Sequence, residues 1–163
     1  MAYPAAVITV SDKCYADRLE DVGGLAVRAI AEEYGFEVKY ACTVPNDMEM
    51  IKAELIKCAD ELRISLILTT GGTGFSPKDI TPEATLSVVE REVRGIPEAM
   101  RYESMKITPR GCLSRSAAGI RGGTLIINLP GSEKAARENL LAVIEAVRHG
   151  MGMLSSAAPQ TAQ

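Results

Sequence analysis

The segment ISLILTT (Ile64–Thr70), followed at once by the loop GGTGFSPKD (Gly71–Asp79), is the clearest indication of the fold of this chain. A short, nearly continuous apolar run is typical of a strand buried on both faces of a parallel sheet. After the loop, Thr81-Pro82-Glu83 favours the start of a helix, with Thr81 as the N-cap, a proline at the first helical position and an acid in the first turn. Strand, glycine-rich loop and helix together form a unit of an α/β sheet.

Similar units lie on both sides of this stretch, because apolar runs alternate along the chain with apolar residues at helical spacing. The further predicted elements are strands at Ala5–Val10, Phe36–Cys42 and Gly123–Leu129, and helices over Val22–Tyr34 (capped by Asp21), Ile51–Leu62 and Ala135–Val147. The pair Gly122-Gly123 between two apolar runs predicts a hairpin. The sequence therefore predicts an α/β three-layer sandwich: a mostly parallel central sheet, helices on both faces and a small antiparallel edge.

The bulk composition is that of one ordinary globular domain. The chain has 163 residues, 47% hydrophobic and 24% charged, with a net charge of −3. We assign residues 1–154 to the domain and expect the tail 155–163, rich in Ser, Ala and Gln, to be disordered. The net charge argues against a general nucleic-acid binder. Neither a signal peptide nor an apolar run of about 20 residues is apparent, so we expect a cytoplasmic protein that does not enter membranes.

The four cysteines, Cys14, Cys42, Cys58 and Cys112, form no CxxC pair. A zinc site is therefore not expected. Scattered cysteines with mostly apolar neighbours suit a reducing compartment, and we interpret them as small buried hydrophobic residues.

Ligands of open α/β sheets bind beyond the carboxyl ends of the strands, so the candidate site residues are those that follow Val10, Thr70 and Leu129. Three glycines within Gly71–Gly74 allow the backbone to approach a ligand and to point its N–H groups at phosphate. The loop is neither a Walker A motif nor a dinucleotide fingerprint, and a simple tight connection is the alternative. Asp79, just before the helix, is a carboxylate suited to Mg²⁺.

Two other strand ends carry polar residues, each with a structural alternative. Ser11-Asp12 either line the rim of a site or form a turn or cap. Pro130-Gly131-Ser132 either form a second anion site at a helix start or supply Ser132 as an N-cap. Arg115, in Leu113–Ser116, either binds a phosphate through two parallel N–H groups or is a solvated surface cation. Two anion-binding loops and a carboxylate indicate chemistry that joins two phosphate-bearing ligands by charge neutralisation and positioning.

The string TTGGTGFSPKDITPEAT (Thr69–Thr85) resembles the signature of the MogA/MoaB family of molybdopterin-binding proteins. Thr9–Asp12, Leu113–Arg115 and Asn128–Ser132 match further segments of that family in the same order, so that the resemblance covers roughly residues 5–150. It implies an α/β domain that assembles as a homotrimer. It also implies transfer of AMP from Mg²⁺·ATP to the terminal phosphate of molybdopterin, with release of pyrophosphate, ahead of metal insertion and with contact to a molybdenum-insertion enzyme.

The resemblance also implies roles for individual residues. Asp79 would be the catalytic acid and the Mg²⁺ ligand, and the loop Gly71, Gly72, Thr73 and Gly74 would bind the nucleotide. The residues implied for molybdopterin are Ser11, Asp12, Thr81, Ser114, Arg115, Pro130, Gly131 and Ser132.

One segment departs from the family pattern. The family commonly has Pro-Asp after the second strand, and that acid is a second functional carboxylate. Here the segment reads Val44-Pro45-Asn46-Asp47, so an amide follows Pro45 and the acid comes one residue later. Either Asn46 or Asp47 takes the catalytic position, or both simply cap the next helix. An amide can bind a cation but brings no charge, which is expected to weaken a Mg²⁺ site.

Three hypotheses from different classes follow. The leading one is a molybdopterin adenylyltransferase. The second is a molybdopterin-binding protein with weak or no such activity, consistent with Asn46. The third is a structural subunit that binds neither ATP nor pterin, against which the intact Gly71–Asp79 loop argues.

Overall fold

A computed structural model describes residues 2–157 and contains the predicted α/β architecture. A six-stranded sheet has the order β2-β1-β3-β6-β5-β4. Its strands are β1 (Tyr3–Val10), β2 (Phe36–Val44), β3 (Leu66–Thr70), β4 (Arg91–Glu92), β5 (Ala118–Arg121) and β6 (Thr124–Leu129). The first four in that order are parallel, whereas β5 pairs antiparallel with both β6 and β4. Arg121 faces Thr124 across the predicted glycine turn.

Helices cover both faces of the sheet, which confirms the three-layer prediction. They are α1 (Asp12–Asp17), α2 (Val22–Glu33), α3 (Met48–Ile56), α4 (Thr81–Val88), α5 (Gly95–Ile107) and α6 (Glu133–Ala157). A π-helical turn, Lys57–Glu61, prolongs α3, and a 3-10 helix, Pro109–Leu113, follows α5. Within the described residues, no helix has both the length and the apolar character that crossing a membrane requires.

The sheet divides the core into two clusters, because successive side chains of a strand point to opposite faces. On β1, Ala5 and Val7 pack with α2, α5 and α6, whereas Ala6, Ile8 and Val10 pack with α3 and α4. Every residue of β3 is buried, as expected for a central parallel strand. This rigid centre fixes the loops that leave the carboxyl ends of β1, β3 and β6.

Several sequence predictions need correction. Thr81 is the first residue of α4 rather than its cap; Ile80 occupies the cap position, and no side chain caps this helix. The last helix runs to Ala157, so residues 155–157 of the predicted disordered tail are helical, while 158–163 lie outside the described residues. Of the cysteines, only Cys58 is buried, and Cys112 is exposed. Asp21 caps α2 as predicted, since its carboxylate accepts from the Gly24 N–H at 2.9 Å.

Candidate active site

A cavity of about 720 Å³ opens at the carboxyl edge of the parallel strands. Its walls come from the ends of β1 and β3, from the turn that follows β6, from the start of α2 and from the loop after β2. The lining residues are Thr9, Val10, Ser11, Asp12, Lys13, Cys14, Glu20, Asp21, Val22, Gly23, Asn46, Thr70, Gly71, Gly72, Lys78, Asp79, Gly131 and Glu133. All three strand ends that the sequence singled out thus meet in one place, and the volume is within the range of small-molecule sites.

The floor of this cavity is the glycine pair Gly71-Gly72, and the local geometry admits no other residue type there. Both have positive φ, +100° and +70°, which side chains disfavour. A Cβ at Gly71 would clash with the carbonyl oxygen of Val10, and one at Gly72 with the hydroxyl of Thr81. The Thr81 N–H donates to the Gly72 carbonyl at 3.1 Å. The loop is therefore pressed between β1 and α4, with its backbone at the cavity.

Asp79 is held at the cavity by a turn of its own loop. Its N–H donates to the Ser76 carbonyl at 2.9 Å, and its carboxylate Oδ2 accepts from the Ser76 N–H at 2.9 Å. Among residues 2–157, none donates a hydrogen bond to its other oxygen, Oδ1. Asp79 is thus a half-buried carboxylate with one oxygen fixed and one available to a ligand or cation.

Asp12 joins three loops of the site. Its Oδ1 accepts from the Asn46 N–H at 2.9 Å, and its Oδ2 accepts from Lys78 Nζ at 3.3 Å. The Asn46 N–H, and then Lys78, hold the pKa of Asp12 below its ordinary value. This carboxylate therefore remains ionised near neutral pH and ties the β2 loop to the Gly71–Asp79 loop.

Asn46 and Asp47, which sequence alone left undecided, take separate places. Asn46 lines the cavity. Asp47 does not; its carboxylate accepts from the Met50 N–H at 2.9 Å and so caps α3. The position predicted for a second catalytic acid is therefore occupied at the cavity by the amide of Asn46, whereas the Asp47 carboxylate is used by the helix.

Two buried polar atoms flank Gly72 without any partner in the described part of the chain: Asn46 Oδ1 and Thr81 Oγ1. Buried polar groups are normally paired, so an unpaired oxygen beside a cavity indicates a place for a water, a cation or a ligand donor. No group of three or more His, Cys, Asp or Glu suited to a metal occurs within residues 2–157. The oxygen donors at the cavity instead match Mg²⁺, which leans on one or two carboxylates together with substrate phosphates.

The charges that line the cavity are mostly negative. Five acidic side chains face it against two lysines: Asp12, Glu20, Asp21, Asp79 and Glu133 against Lys13 and Lys78. Polyphosphate alone would be repelled by such a surface, so a phosphate-bearing ligand needs accompanying cations here.

The structure brings only some of the predicted binding residues to the cavity. Ser11 lines it, but its hydroxyl accepts from the Cys14 N–H at 3.2 Å and caps α1. In the turn after β6 only Gly131 is a lining residue; Ser132 Oγ accepts from the Ala135 N–H at 3.2 Å, near the start of α6. The Pro130 carbonyl accepts from Thr70 Oγ1 at 2.8 Å. For both serines the capping alternative is thus realised.

Four further predicted residues lie behind the cavity wall. Thr73 and Gly74 belong to the loop but do not line the cavity, and Thr73 is buried. Ser114 and Arg115 line a different cavity of about 410 Å³, together with Arg94 and other charged residues. Ser114 Oγ donates to Ser116 Oγ at 3.1 Å. Arg115, which was predicted to bind phosphate, donates to protein oxygens from all three nitrogens of its guanidinium.

Sequence reasoning missed the contribution of the α2 N-terminus and of the lysines. Gly23 lies close enough to the turn after β6 that a Cβ there would be 3.3 Å from the Gly131 carbonyl oxygen. The signal was available: Asp21 followed by Val22-Gly23-Gly24 places two glycines in a first helical turn, which is costly unless another backbone approaches closely. Nothing local distinguished Lys13 and Lys78 from surface lysines.

Comparison with known proteins agrees with this geometry. A family model described as "probable molybdopterin binding domain" matches residues 6–149. A molybdopterin adenylyltransferase of Helicobacter pylori (strain J99) is 40% identical over 151 residues, covering 91% of this chain and 85% of that protein. The molybdenum cofactor synthesis protein cinnamon of Drosophila melanogaster is 39% identical over 149 residues, which cover 91% of this chain but only 25% of that longer protein.

A solved structure gives the same result in three dimensions. The crystal structure of the molybdopterin biosynthesis enzyme MoaB from Thermus thermophilus is similar to this chain with a TM-score of 0.90 and 43% identity, over 96% of this chain and 98% of that one. Fold, strand-end cavity and sequence coverage therefore agree, and this chain belongs to the molybdopterin-binding domain family of molybdenum cofactor biosynthesis, which includes the MogA and MoaB proteins.

Proposed function

We propose that this chain is a molybdopterin adenylyltransferase, which transfers AMP from Mg²⁺·ATP to the terminal phosphate of molybdopterin. The observation that carries the proposal is the single cavity at which the Gly71-Gly72 backbone, the carboxylate of Asp79 and the turn at Gly131 meet. Relatives that bear the name molybdopterin adenylyltransferase, such as that of Helicobacter pylori, match over most of this chain.

In the reaction, an oxygen of the molybdopterin phosphate bonds to the α-phosphorus of ATP, and the bond from that phosphorus to the bridging oxygen of the β-phosphate breaks. Adenylylated molybdopterin and pyrophosphate result. Such a transfer needs no protein nucleophile, but it needs the attacking and leaving oxygens in line and their charges compensated. The Gly71-Gly72 backbone would receive the ATP phosphates, and Gly131 with the adjoining start of α6 would receive the molybdopterin phosphate.

The two lysines and the helix ends would supply the fixed positive character. Lys78 already bonds to Asp12 at 3.3 Å, and its side chain is 75% exposed, so it is free to exchange this carboxylate for a phosphate. Lys13 lines the same cavity. The N-terminus of α2 at Gly23 adds the positive end of a helix dipole. These groups together do not balance the five lining acids, which is why the proposal includes a divalent cation.

The residues present fit Mg²⁺. Asp79, with its available oxygen, and Asn46, with its unpaired Oδ1, would hold the ion together with the substrate phosphates. When bound, Mg²⁺ neutralises charge that develops on the phosphate oxygens. The protein's own contribution is to fix the Asp79 carboxylate through Ser76 and to keep Asp12 ionised beside Asn46.

The remaining parts of the proposal concern assembly and location. The homotrimer, the contact with a molybdenum-insertion enzyme and the cytoplasmic location implied by the family resemblance are retained as part of it. Light scattering of the purified chain tests the trimer directly.

A second candidate function is a molybdopterin-binding protein with weak or no transferase activity. The observation that favours it is the amide of Asn46 at the cavity, with the neighbouring acid Asp47 bound to α3 instead. Both candidates bind molybdopterin, so only turnover separates them.

The deciding experiment incubates the purified chain with ATP, Mg²⁺ and molybdopterin and measures both pyrophosphate and adenylylated molybdopterin. We expect the two products in equal amounts, formation that depends on molybdopterin, and loss of turnover by at least about 100-fold when EDTA removes the cation. Molybdopterin binding without either product would establish the second candidate instead. Turnover that persists in EDTA would exclude the cation from the proposal.

A further inference from the structure

Arg115 lies directly behind the Gly71–Asp79 loop and bonds to three of its residues, Thr73, Gly74 and Asp79. Its backbone N–H donates to the Thr73 carbonyl at 3.0 Å. Its Nε donates to the Gly74 carbonyl at 2.7 Å, and its Nη2 donates to the Asp79 carbonyl at 2.6 Å. Its Nη1 donates to the carboxylate of Glu83 in the first turn of α4. One side chain thus connects both ends of the segment 74–79 with the helix that follows.

These contacts engage the guanidinium at all three nitrogens. A guanidinium binds phosphate best through a pair of parallel N–H groups, and here three of its five N–H groups, one on each nitrogen, already donate to protein oxygens. Two of those oxygens are backbone carbonyls, which would lose their partner if Arg115 turned to a ligand. Turning the guanidinium away from these oxygens and toward a phosphate would therefore release the loop.

Apart from Arg115, the segment 74–79 is tied to the rest of the described chain by the bond between Lys78 and Asp12. Residues 75–78 are exposed, and the Phe75 side chain packs into no core, being 72% exposed. Within the turn, Ser76 and Asp79 bond to each other twice, and the Lys78 N–H donates to Ser76 Oγ at 3.4 Å. The direction of the Asp79 carboxylate therefore depends on a small turn whose two ends are both fixed by one arginine.

The ion pair between Arg115 and Glu83 also helps to hold the guanidinium in place. Partial burial raises the pKa of Glu83, but the hydrogen bond from Arg115, a hydrogen bond to backbone and the positive charge of Arg115 together lower it below its ordinary value. Glu83 therefore stays ionised near neutral pH and keeps the guanidinium in place over the loop.

We infer that Arg115 is a positioning residue, which sets the Asp79 carboxylate for AMP transfer by clamping the ends of its loop, and that it does not bind the molybdopterin phosphate. The inference rests on the proposed function for its kinetic consequence, though not for the contacts themselves. Lysine cannot replace Arg115 fully, because a single ammonium group cannot meet two carbonyls and a carboxylate in the planar geometry of guanidinium.

The chain offers a matched control in Arg121. Its guanidinium donates to both oxygens of Asp60 and, at 2.8 Å, to the Val88 carbonyl. It therefore makes the same kinds of bonds, to a carboxylate and to backbone, but it lines neither of the cavities described above. Arg121→Gln reports the kinetic effect of losing a structural arginine as such.

The kinetic test compares Arg115→Gln, Arg115→Lys and Arg121→Gln with the unmodified chain. We expect Arg115→Gln to lower kcat about 100-fold while the Kd for molybdopterin stays within about threefold, because a displaced group costs turnover more than binding. Arg115→Lys should recover only part of the loss, and Arg121→Gln should keep kcat within about threefold.

In an Asp79→Asn background, Arg115→Gln should add little further loss, since both changes remove the same carboxylate function. A molybdopterin Kd raised tenfold or more with kcat retained would make Arg115 a phosphate ligand and overturn the inference.

A second measurement keeps the inference separate from the proposed function. If the unmodified chain transfers no AMP, the proposed function fails, and hydrogen exchange of the peptide that spans residues 71–80 then decides about Arg115. Faster exchange there in Arg115→Gln, but not in Arg121→Gln, with unchanged molybdopterin binding, would support the clamp. Exchange equal to that of the unmodified chain would overturn it.

Discussion

The loops that follow β2 and β3 each lead into a helix and each carry an acid just before it, but only one of the two acids lines the cavity. In each, the residue two positions before the first residue of a helix lines the cavity: Asn46 before Met48 of α3, and Asp79 before Thr81 of α4. Between them and the helix lie Asp47, which caps α3, and Ile80, which has no side-chain cap to offer. The two loops thus present an amide and a carboxylate from corresponding positions.

An acid at the cap position of a helix is engaged by the helix and not by the cavity, as Asp47 shows. The first N–H groups of a helix have no partner within it, and a carboxylate at the cap position meets one of them. An acid one position earlier is free of that demand and can face a ligand. Asp47 is an acid, but it lies at the cap position of α3 and does not line the cavity. Of these two loops, only the one after β3 therefore supplies a carboxylate to the site.

The largest effect is expected at the loop with the carboxylate. Asp79→Asn keeps the size of the side chain and an oxygen that can accept from Ser76, so the loop should retain its shape. It removes the charge, and we expect kcat for AMP transfer to fall about 100- to 1000-fold, as for the loss of one electrostatic group in an active site. Steady-state kinetics and molybdopterin binding measured on the same preparation check this.

The outcome that contradicts the role of Asp79 is turnover within a fewfold of the unmodified chain. Molybdopterin affinity should change little in this variant, because Gly131 and the α6 start are untouched. A parallel loss of affinity and of turnover would mean that the amide disturbed the whole cavity, which circular dichroism and thermal unfolding would detect.

A smaller effect is expected when the β2 loop is given the missing charge. Asn46→Asp places a carboxylate where an unpaired Oδ1 now lies, on the flank of Gly72. We expect the Mg²⁺ concentration for half-maximal turnover to fall on the order of tenfold, since carboxylates bind hard cations more strongly than amides. Titration of turnover with Mg²⁺ measures it.

The same substitution brings a second negative group near Asp12, whose carboxylate bonds to the backbone of residue 46. Repulsion between the two would oppose the gain unless a cation compensates it. A Mg²⁺ requirement that rises in Asn46→Asp would therefore show that the amide is the better residue at this cavity. The loops would then differ because the cavity accepts only one of these carboxylates.

The fold and the position of the cavity were predictable because their signals are local. Apolar runs of five or six residues identified β1, β3 and β6, and Gly71-Gly72 marked a loop whose backbone other groups approach closely. The helix α5, Gly95–Ile107, escaped prediction, and of its residues only Pro97 and Met100 are buried. Its place is set by packing against α6 rather than by its own pattern.

The details of the site were less predictable because they depend on residues far apart in the chain. Arg115 meets oxygens of Gly74 and Glu83, which lie 41 and 32 positions earlier. A sequence pattern identifies a cation there but not which oxygens surround it. The choice between Asn46 and Asp47 likewise depends on where α3 begins, and helix ends are the least certain part of a prediction from sequence.

The smallest effect is expected at Asp47, where substitutions should change the free energy of unfolding without changing kcat. Asp47→Ala removes the bond to the Met50 N–H and should lower the free energy of unfolding by about 1 kcal/mol, the usual cost of losing an N-cap. Asp47→Asn is the matched control, because asparagine caps nearly as well and loses the charge. Both should keep kcat within about twofold if the carboxylate serves only the helix. A loss of turnover in both variants, with stability retained in Asp47→Asn, would mean that this charge acts at the cavity after all, and the two loops would then each supply an acid from a different position.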